Sequence, residues 1–192
     1  MELYLSRHGE TLSNSEGRLT GRNIDSPLTE MGIEQAKQLG ESLEDITFDA
    51  VYSSPLKRAV DTVNIAFGNK YKIRIDNRLA EINLGIMEDL LFDDVIVKYP
   101  ESGMLFFTDP ISYKTPVDGE CLHDMIERIS SFIDDISKKD YDKVFILTHG
   151  YALRVLYSCM IDKSIETIAK SPPYSNCDVV RYIFDNGKWK LT

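Results

Sequence analysis

The chain predicts an α/β fold, on two observations. Strand-like and helix-like patterns alternate along its 192 residues. Two of its three histidines also stand in the same setting, each followed by glycine and each placed directly after a short apolar run. His8-Gly9 follows residues 2–6, and His149-Gly150 follows residues 143–148. In an open parallel sheet, groups just past the carboxyl ends of the strands line the ligand crevice. One cleft is therefore expected to hold both imidazoles and the Arg7 guanidinium, an arrangement suited to phosphate.

The elements follow in order. Residues 2–6 read as a strand, and a loop rich in Ser, Asn, Gly and Thr runs from Gly9 to Pro27. Thr29 is placed to cap a helix reaching about Leu43, with Ala36, Leu39 and Leu43 on one face. Residues 50–53 form a short strand. Ser54-Pro55 then offers a cap and a first-turn proline to a helix over 56–67, ended at Gly68-Asn69. Residues 72–75 alternate like a strand, 78–87 read as loop or short strand, and 90–98 as a helix stopped by Pro100. The stretch 101–119 is irregular and predicts an excursion over the sheet. The clearest helix is 122–136, where Leu122, Met125, Ile126, Ile129, Phe132, Ile133 and Ile136 keep helical spacing. A strand at 143–148 and a helix at 151–160 follow. Residues 177–184 and 188–191, joined by Asp185-Asn186-Gly187, predict a hairpin. No repeat or linker interrupts the chain, so a single domain is expected over 1–192, with a cap-like excursion at about 86–118.

Composition narrows the function. Apolar content of 43% and charged content of 28% are ordinary for a globular chain. A net charge of −9 opposes nucleic-acid or anionic-membrane binding, so any anion pocket must be local. Cys121, Cys159 and Cys177 are an odd, scattered set, which fits reduced thiols in a cytoplasmic setting. The start of the chain lacks a signal-peptide pattern, and no run approaches the ~18 apolar residues of a membrane span. No HExxH or paired-histidine spacing suggests a metal, and no P-loop pattern is present.

Four elements carry chemistry: Arg7-His8-Gly9-Glu10-Thr11 with Asn14, then Arg58, Glu81, and His149-Gly150. Phosphoryl transfer needs positive groups around three equatorial oxygens, a nucleophile and a proton donor. Imidazole serves as a nucleophile that forms a covalent intermediate. Arginine presents a donor fork matched to phosphate oxygens. A carboxyl group in a partly dry pocket has a raised pKa and can protonate a leaving alkoxide.

The ordered set of motifs resembles the histidine phosphatase superfamily, the phosphoglycerate mutase-like group. The matching blocks are Leu5-Ser6-Arg7-His8-Gly9-Glu10-Thr11 through Asn14, Leu19-Thr20-Gly21, Ser53-Ser54-Pro55-Leu56-Lys57-Arg58-Ala59, Leu79-Ala80-Glu81-Ile82-Asn83-Leu84-Gly85, Asp118-Gly119-Glu120, and Thr148-His149-Gly150. They span nearly the whole chain. The resemblance implies a three-layer α/β/α sandwich with a mostly parallel central sheet. By position it implies His8 as the nucleophile, Arg7, Arg58 and His149 as the phosphate pocket, and Asn14 as a hydrogen-bond donor to the phosphoryl group. Thr20, Gly21 and Gly150 would contact substrate, Gly21 through its backbone. Glu81 would be the proton donor, with Glu88 close enough in sequence to exchange roles with it. No cofactor or metal is implied. The chain departs from the family at Ile86-Met87-Glu88-Asp89, where a Trp-Glu-Gly-like element is common, and at Arg22, where many mutases carry Trp. Arg22 either adds positive charge near the entrance or points to solvent.

Hydrolase and mutase share the phosphohistidine step. A mutase needs extra basic groups over the pocket, which the resemblance places in the excursion. Between Glu88 and Asp118 only Lys98 and Lys114 stand against seven carboxylates. A phosphomonoesterase acting on a small phosphorylated metabolite is therefore expected. Mutase-type transfer is the alternative, and a non-catalytic phosphate-binding module the less favoured one. Phe92, Phe106, Phe107 and Tyr113 either face the pocket or close the excursion onto the sheet. His123 is read as a surface residue.

Overall fold

A computed structural model describes residues 1–192 apart from 104, 186 and 187. Among the described residues, six strands form one sheet: β1 Glu2–Arg7, β2 Ala50–Ser53, β3 Ile73–Ile75, β4 Lys143–Thr148, β5 Val179–Asp185 and β6 Lys188–Leu191. Their order is β3-β2-β4-β1-β5-β6. The first four run parallel, and β5 and β6 add an antiparallel edge. The turn foreseen at Asn186-Gly187 lies outside the described residues.

Alternation along the central strands builds two cores, because successive side chains point to opposite faces. Leu3 and Leu5 of β1 join Val144 and Ile146 of β4 on one face. Helices α6 (Leu122–Ile136) and α7 (Gly150–Ile161) cover it. Tyr4, Val51, Phe145 and Leu147 point the other way, against α2 (Glu30–Ser42) and α3 (Lys57–Phe67). The result is the three-layer sandwich that the motifs imply. The foreseen stripe of α6 is buried save for half-buried Ile126. Thr29 caps α2, its Oγ1 accepting from the Gly32 amide.

Other bounds need correction. Helix α3 begins at Lys57, not beside Ser54-Pro55. Its first amides, on Lys57 and Arg58, donate to the carboxylate of the distant Asp25, while Ser54 is turned toward His149. The helix expected over 90–98 is α4, Phe92–Lys98, because Leu91 remains extended. Two single turns, α1 (Leu12–Ser15) and α8 (Ile165–Ile168), are too short to leave a periodic signal. In the excursion, α5 (Leu105–Thr108) lays the Phe106 ring on Tyr151 at the start of α7, with centroids 3.7 Å apart. Among the described residues, no helix is long and apolar enough to cross a membrane.

Candidate active site

Register places the two histidines. Arg7 pairs with Thr148 at the ends of β1 and β4, so His8 and His149 emerge side by side, ring centroids 5.1 Å apart. The backbone at His8 is held from three directions. Its amide donates to the Thr148 carbonyl (3.0 Å), its carbonyl accepts from Asn176 Nδ2 (2.7 Å), and the Gly9 amide donates to Thr62 Oγ1 (3.0 Å). Gly9 is required by packing. A Cβ there would lie 2.5 Å from the Gly32 carbonyl oxygen, because the loop rests on the first turn of α2.

The His8 ring is chemically defined by its surroundings. Nδ1 lies 2.7 Å from the Gly9 carbonyl, which can only accept, so Nδ1 carries the proton. Burial, then Arg58 and Arg7, pushes the pKa of His8 well below its ordinary value. The ring is thus neutral, and Nε2 keeps its lone pair. His149 is fully buried and likewise held neutral, first by burial and then by Arg58, His8 and Arg7. Its Nε2 lies 2.6 Å from Ser54 Oγ. That hydroxyl accepts from the Leu56 amide and can donate its own proton to Nε2, which leaves the ring proton on Nδ1.

Arg58 is 1% exposed and fixed by carbonyls: Nη1 donates to Ile24 (2.8 Å) and Nη2 to Gly21 (2.9 Å), with Asp25 Oδ1 3.2 Å from Nη1. Arg7 Nη1 donates to the Tyr174 carbonyl at 3.3 Å, and Gly150 packs against its guanidinium. Among the described residues, Arg7 Nε, Arg58 Nε and His149 Nδ1 are buried polar atoms with no protein partner. Donors are rarely left so in a folded interior. Arg7 and Arg58 line the cavity, where a phosphoryl group would be the missing acceptor, while His149 is not among the lining residues and lies with its ring 5.1 Å from that of His8.

Glu81 sits in the cavity wall, 6% exposed. Its Oε1 accepts from the Ile82 and Ala152 amides and Oε2 from the Tyr151 amide, each at 3.0 Å. A carboxylate offers about four acceptor positions, so one on Oε2 remains for a proton. Burial pushes its pKa up, opposed by the Ile82 and Tyr151 amides and by Arg58 and Arg7. Glu88, the alternative donor, is not in the wall; its carboxylate accepts from the amides of Asn23, Ile24 and Leu84.

Arg7, His8, Arg58, Glu81, Asn14, Thr20 and Gly150 line one cavity of about 310 Å³. The Asn14 Oδ1 accepts from the Thr11 amide in a capping box, which leaves its NH2 as the donor to offer. Gly21 lies behind the wall, its carbonyl taken by Arg58. Arg22 follows neither reading of the sequence: Nη2 is 2.8 Å from Glu120 and Nε donates to the Glu81 carbonyl. Phe106 and Phe107 face the cavity, whereas Phe92 and Tyr113 pack behind them. Lys98 and Lys114 pair with Asp94 and Glu101, away from it. His123 is exposed.

Several residues at the site escape sequence reasoning. Arg154 enters the wall from α7, and Arg18 from the loop after α1. Spacing would have flagged Arg154, which lies one helical turn past Gly150 and Tyr151. Asn176, Thr62 and Asp25 had no signal, because only the fold brings them to His8 and Arg58.

A model of the histidine phosphatase superfamily (branch 1) matches residues 3–192. The chain is 34% identical over 161 residues to the metal-independent phosphoserine phosphatase of Arabidopsis thaliana, covering 81% of this chain and 67% of that one. It is 30% identical over 195 residues to phosphoglycerate mutase-like protein 4 of the same plant, covering 99% and 83%. The crystal structure of the alpha-ribazole phosphatase from Shigella flexneri superposes with a TM-score of 0.86 at 26% identity, covering 100% and 95%. With the family's motifs converging on one cavity and its model matching nearly end to end, this chain belongs to the histidine phosphatase superfamily, branch 1.

Proposed function

We propose that the chain is a metal-independent phosphomonoesterase that works through a phosphohistidine on His8. The observation that carries this reading is the state of His8: a neutral imidazole, its Nδ1–H tied to the Gly9 carbonyl, in a cavity that Arg7 and Arg58 also line. Nε2 attacks phosphorus as the bond to the leaving oxygen breaks, and Glu81 gives that oxygen its proton. The glutamate left behind is stabilised by the amides of Tyr151 and Ala152 at the start of α7. Glu81 then takes a proton from water, whose oxygen displaces His8 and releases phosphate. Arg7, Arg58 and the His149 Nδ1–H stabilise the equatorial oxygens throughout, the charge role that a metal would otherwise fill.

Hydrolysis is favoured over mutase transfer because neither lysine of the excursion lines the cavity; the two further cations in its wall, Arg18 and Arg154, come from outside the excursion. The cavity volume suits a small phosphorylated metabolite, and the net charge of −9 opposes nucleic-acid and anionic-membrane partners. A cytoplasmic setting fits the free cysteines. Relatives named as phosphoserine and alpha-ribazole phosphatases support the hydrolase reading.

The test is phosphate release from a panel of monoesters in excess EDTA, wild type beside His8→Ala. 3-Phosphoglycerate belongs in the panel, with its 2-isomer followed in the same samples. Release that resists EDTA and vanishes in His8→Ala is expected. Isomerisation outrunning release would make the protein a mutase, and silence on every ester would favour a binding role.

A further inference from the structure

The loop that carries Glu81 is held by an ion triad outside the cavity. Glu120 is the centre: Oε1 accepts from Arg22 Nη2 (2.8 Å) and Arg128 Nε (2.7 Å), and Oε2 accepts from Arg128 Nη2 (3.0 Å). The Glu120 side chain is 10% exposed and that of Arg128 15%. Burial raises the Glu120 pKa, but the two arginines win and hold it below its ordinary value, so Glu120 stays a carboxylate. Both arginines also donate to the Glu81 loop. Arg128 Nη1 donates to the carbonyls of Arg78 (2.6 Å) and Ala80 (2.8 Å), and Nη2 approaches that of Glu81 (3.4 Å). Arg22 Nε reaches the Glu81 carbonyl from the other side at 3.2 Å. The Asn83 amide donates to Glu120 Oε2, and the Glu120 amide donates to the Asn83 carbonyl.

We propose that Glu120, acting through Arg22 and Arg128, is a positioning residue that aims the Glu81 carboxyl and ties it to Arg58. This rests on the reading of Glu81 as proton donor. The tie to Arg58 runs through the chain on either side of Arg22, where the carbonyls of Gly21 and Ile24 hold the Arg58 guanidinium. Phosphate clamp and proton donor are thereby set against one rigid segment. Displacing a catalytic group by about 1 Å can cost on the order of 100-fold in rate, and a loop pinned at three carbonyls resists such displacement. None of the three residues lines the cavity.

A merely structural staple and a positioning device differ in their dependence on the leaving group. The readout is kcat/KM, which covers only the steps up to leaving-group departure. p-Nitrophenyl phosphate needs little protonation there, and an alkyl phosphate needs it fully. Glu120→Gln is expected to lower kcat/KM about 10- to 100-fold for the alkyl ester and no more than about threefold for the aryl ester. Glu120→Asp is expected to recover part of the loss. Arg22→Gln disturbs a half-exposed partner and keeps the test alive if Glu120→Gln folds poorly; it is expected to show the same selectivity at several-fold size. Equal losses on both esters, or none, in either variant that folds would overturn the proposal. Glu81→Gln runs in parallel. If it discriminates between the esters and the triad variants do not, positioning alone fails. If Glu81→Gln does not discriminate, the donor reading fails and the positioning proposal falls with it.

Discussion

Removing the Ser54 hydroxyl isolates what fixes the second histidine. Ser54 and His149 are both fully buried, and their side chains meet at 2.6 Å. Ser54→Ala leaves His149 Nε2 without a partner, and an unsatisfied buried acceptor costs about 1–3 kcal/mol of stability. The same change removes the donor that keeps the ring proton on Nδ1. A bias of about 1–2 kcal/mol corresponds to roughly a 5- to 30-fold fall in kcat/KM. Ser53→Ala is the control: its Oγ donates to the Ser54 carbonyl (3.0 Å) in the same buried turn, but it does not touch either imidazole. Urea melts of both variants should show comparable losses, while kcat/KM for p-nitrophenyl phosphate should fall only for Ser54→Ala. If Ser54→Ala stays within twofold of wild type, or Ser53→Ala falls as far, the tautomer argument is refuted.

Two further outcomes follow from the site. Acid should destabilise the fold before ordinary carboxylates titrate, because His8 and His149 are held neutral when folded and take protons in the unfolded chain. The unfolded state then binds more protons, so stability falls as pH drops through about 6.5, by up to about 2.7 kcal/mol per pH unit for the two. Glu81 acts in the opposite sense, because its raised pKa lets the folded state bind the extra proton above the ordinary carboxylate range, and it offsets part of that slope. Urea midpoints from pH 5 to 8 check this, and a midpoint that is flat from 8 down to 5 would contradict it. Arg154 reaches the cavity wall, stacked on Phe107, with no carboxylate in ion-pair distance among the described residues. Arg154→Leu should lower kcat/KM about 10-fold for monoesters whose leaving group carries a carboxylate and spare neutral ones. Equal effects on both classes would remove Arg154 from leaving-group recognition.

The layers of the fold were legible because periodicity records burial. The stripe of 122–136 became α6 with its foreseen bounds, and strand 143–148 became β4 unchanged. Boundaries failed where a distant partner decided them. Ser54-Pro55 reads locally as a helix start, but Asp25 caps α3 from across the fold and Ser54 turns to His149. The site was legible as motif blocks, and the cavity gathers Arg7, His8, Arg58 and Glu81 from three of them. What held those residues was not legible. Asn176 on the His8 carbonyl is 168 positions away in sequence, and Glu120 stands 37 positions from the Asn83 amide that it accepts. Arg22 was misread for the same reason: its neighbours in sequence gave no hint of Glu120 or of the Glu81 carbonyl.

Trapping the intermediate tests the central claim most directly. Rapid alkaline quench of the enzyme turning over a 32P-labelled monoester, followed by peptide mapping, should place base-stable, acid-labile label on His8, absent from His8→Ala. Turnover at full rate with no label on His8, or label retained in His8→Ala, would contradict a phosphohistidine mechanism at this residue.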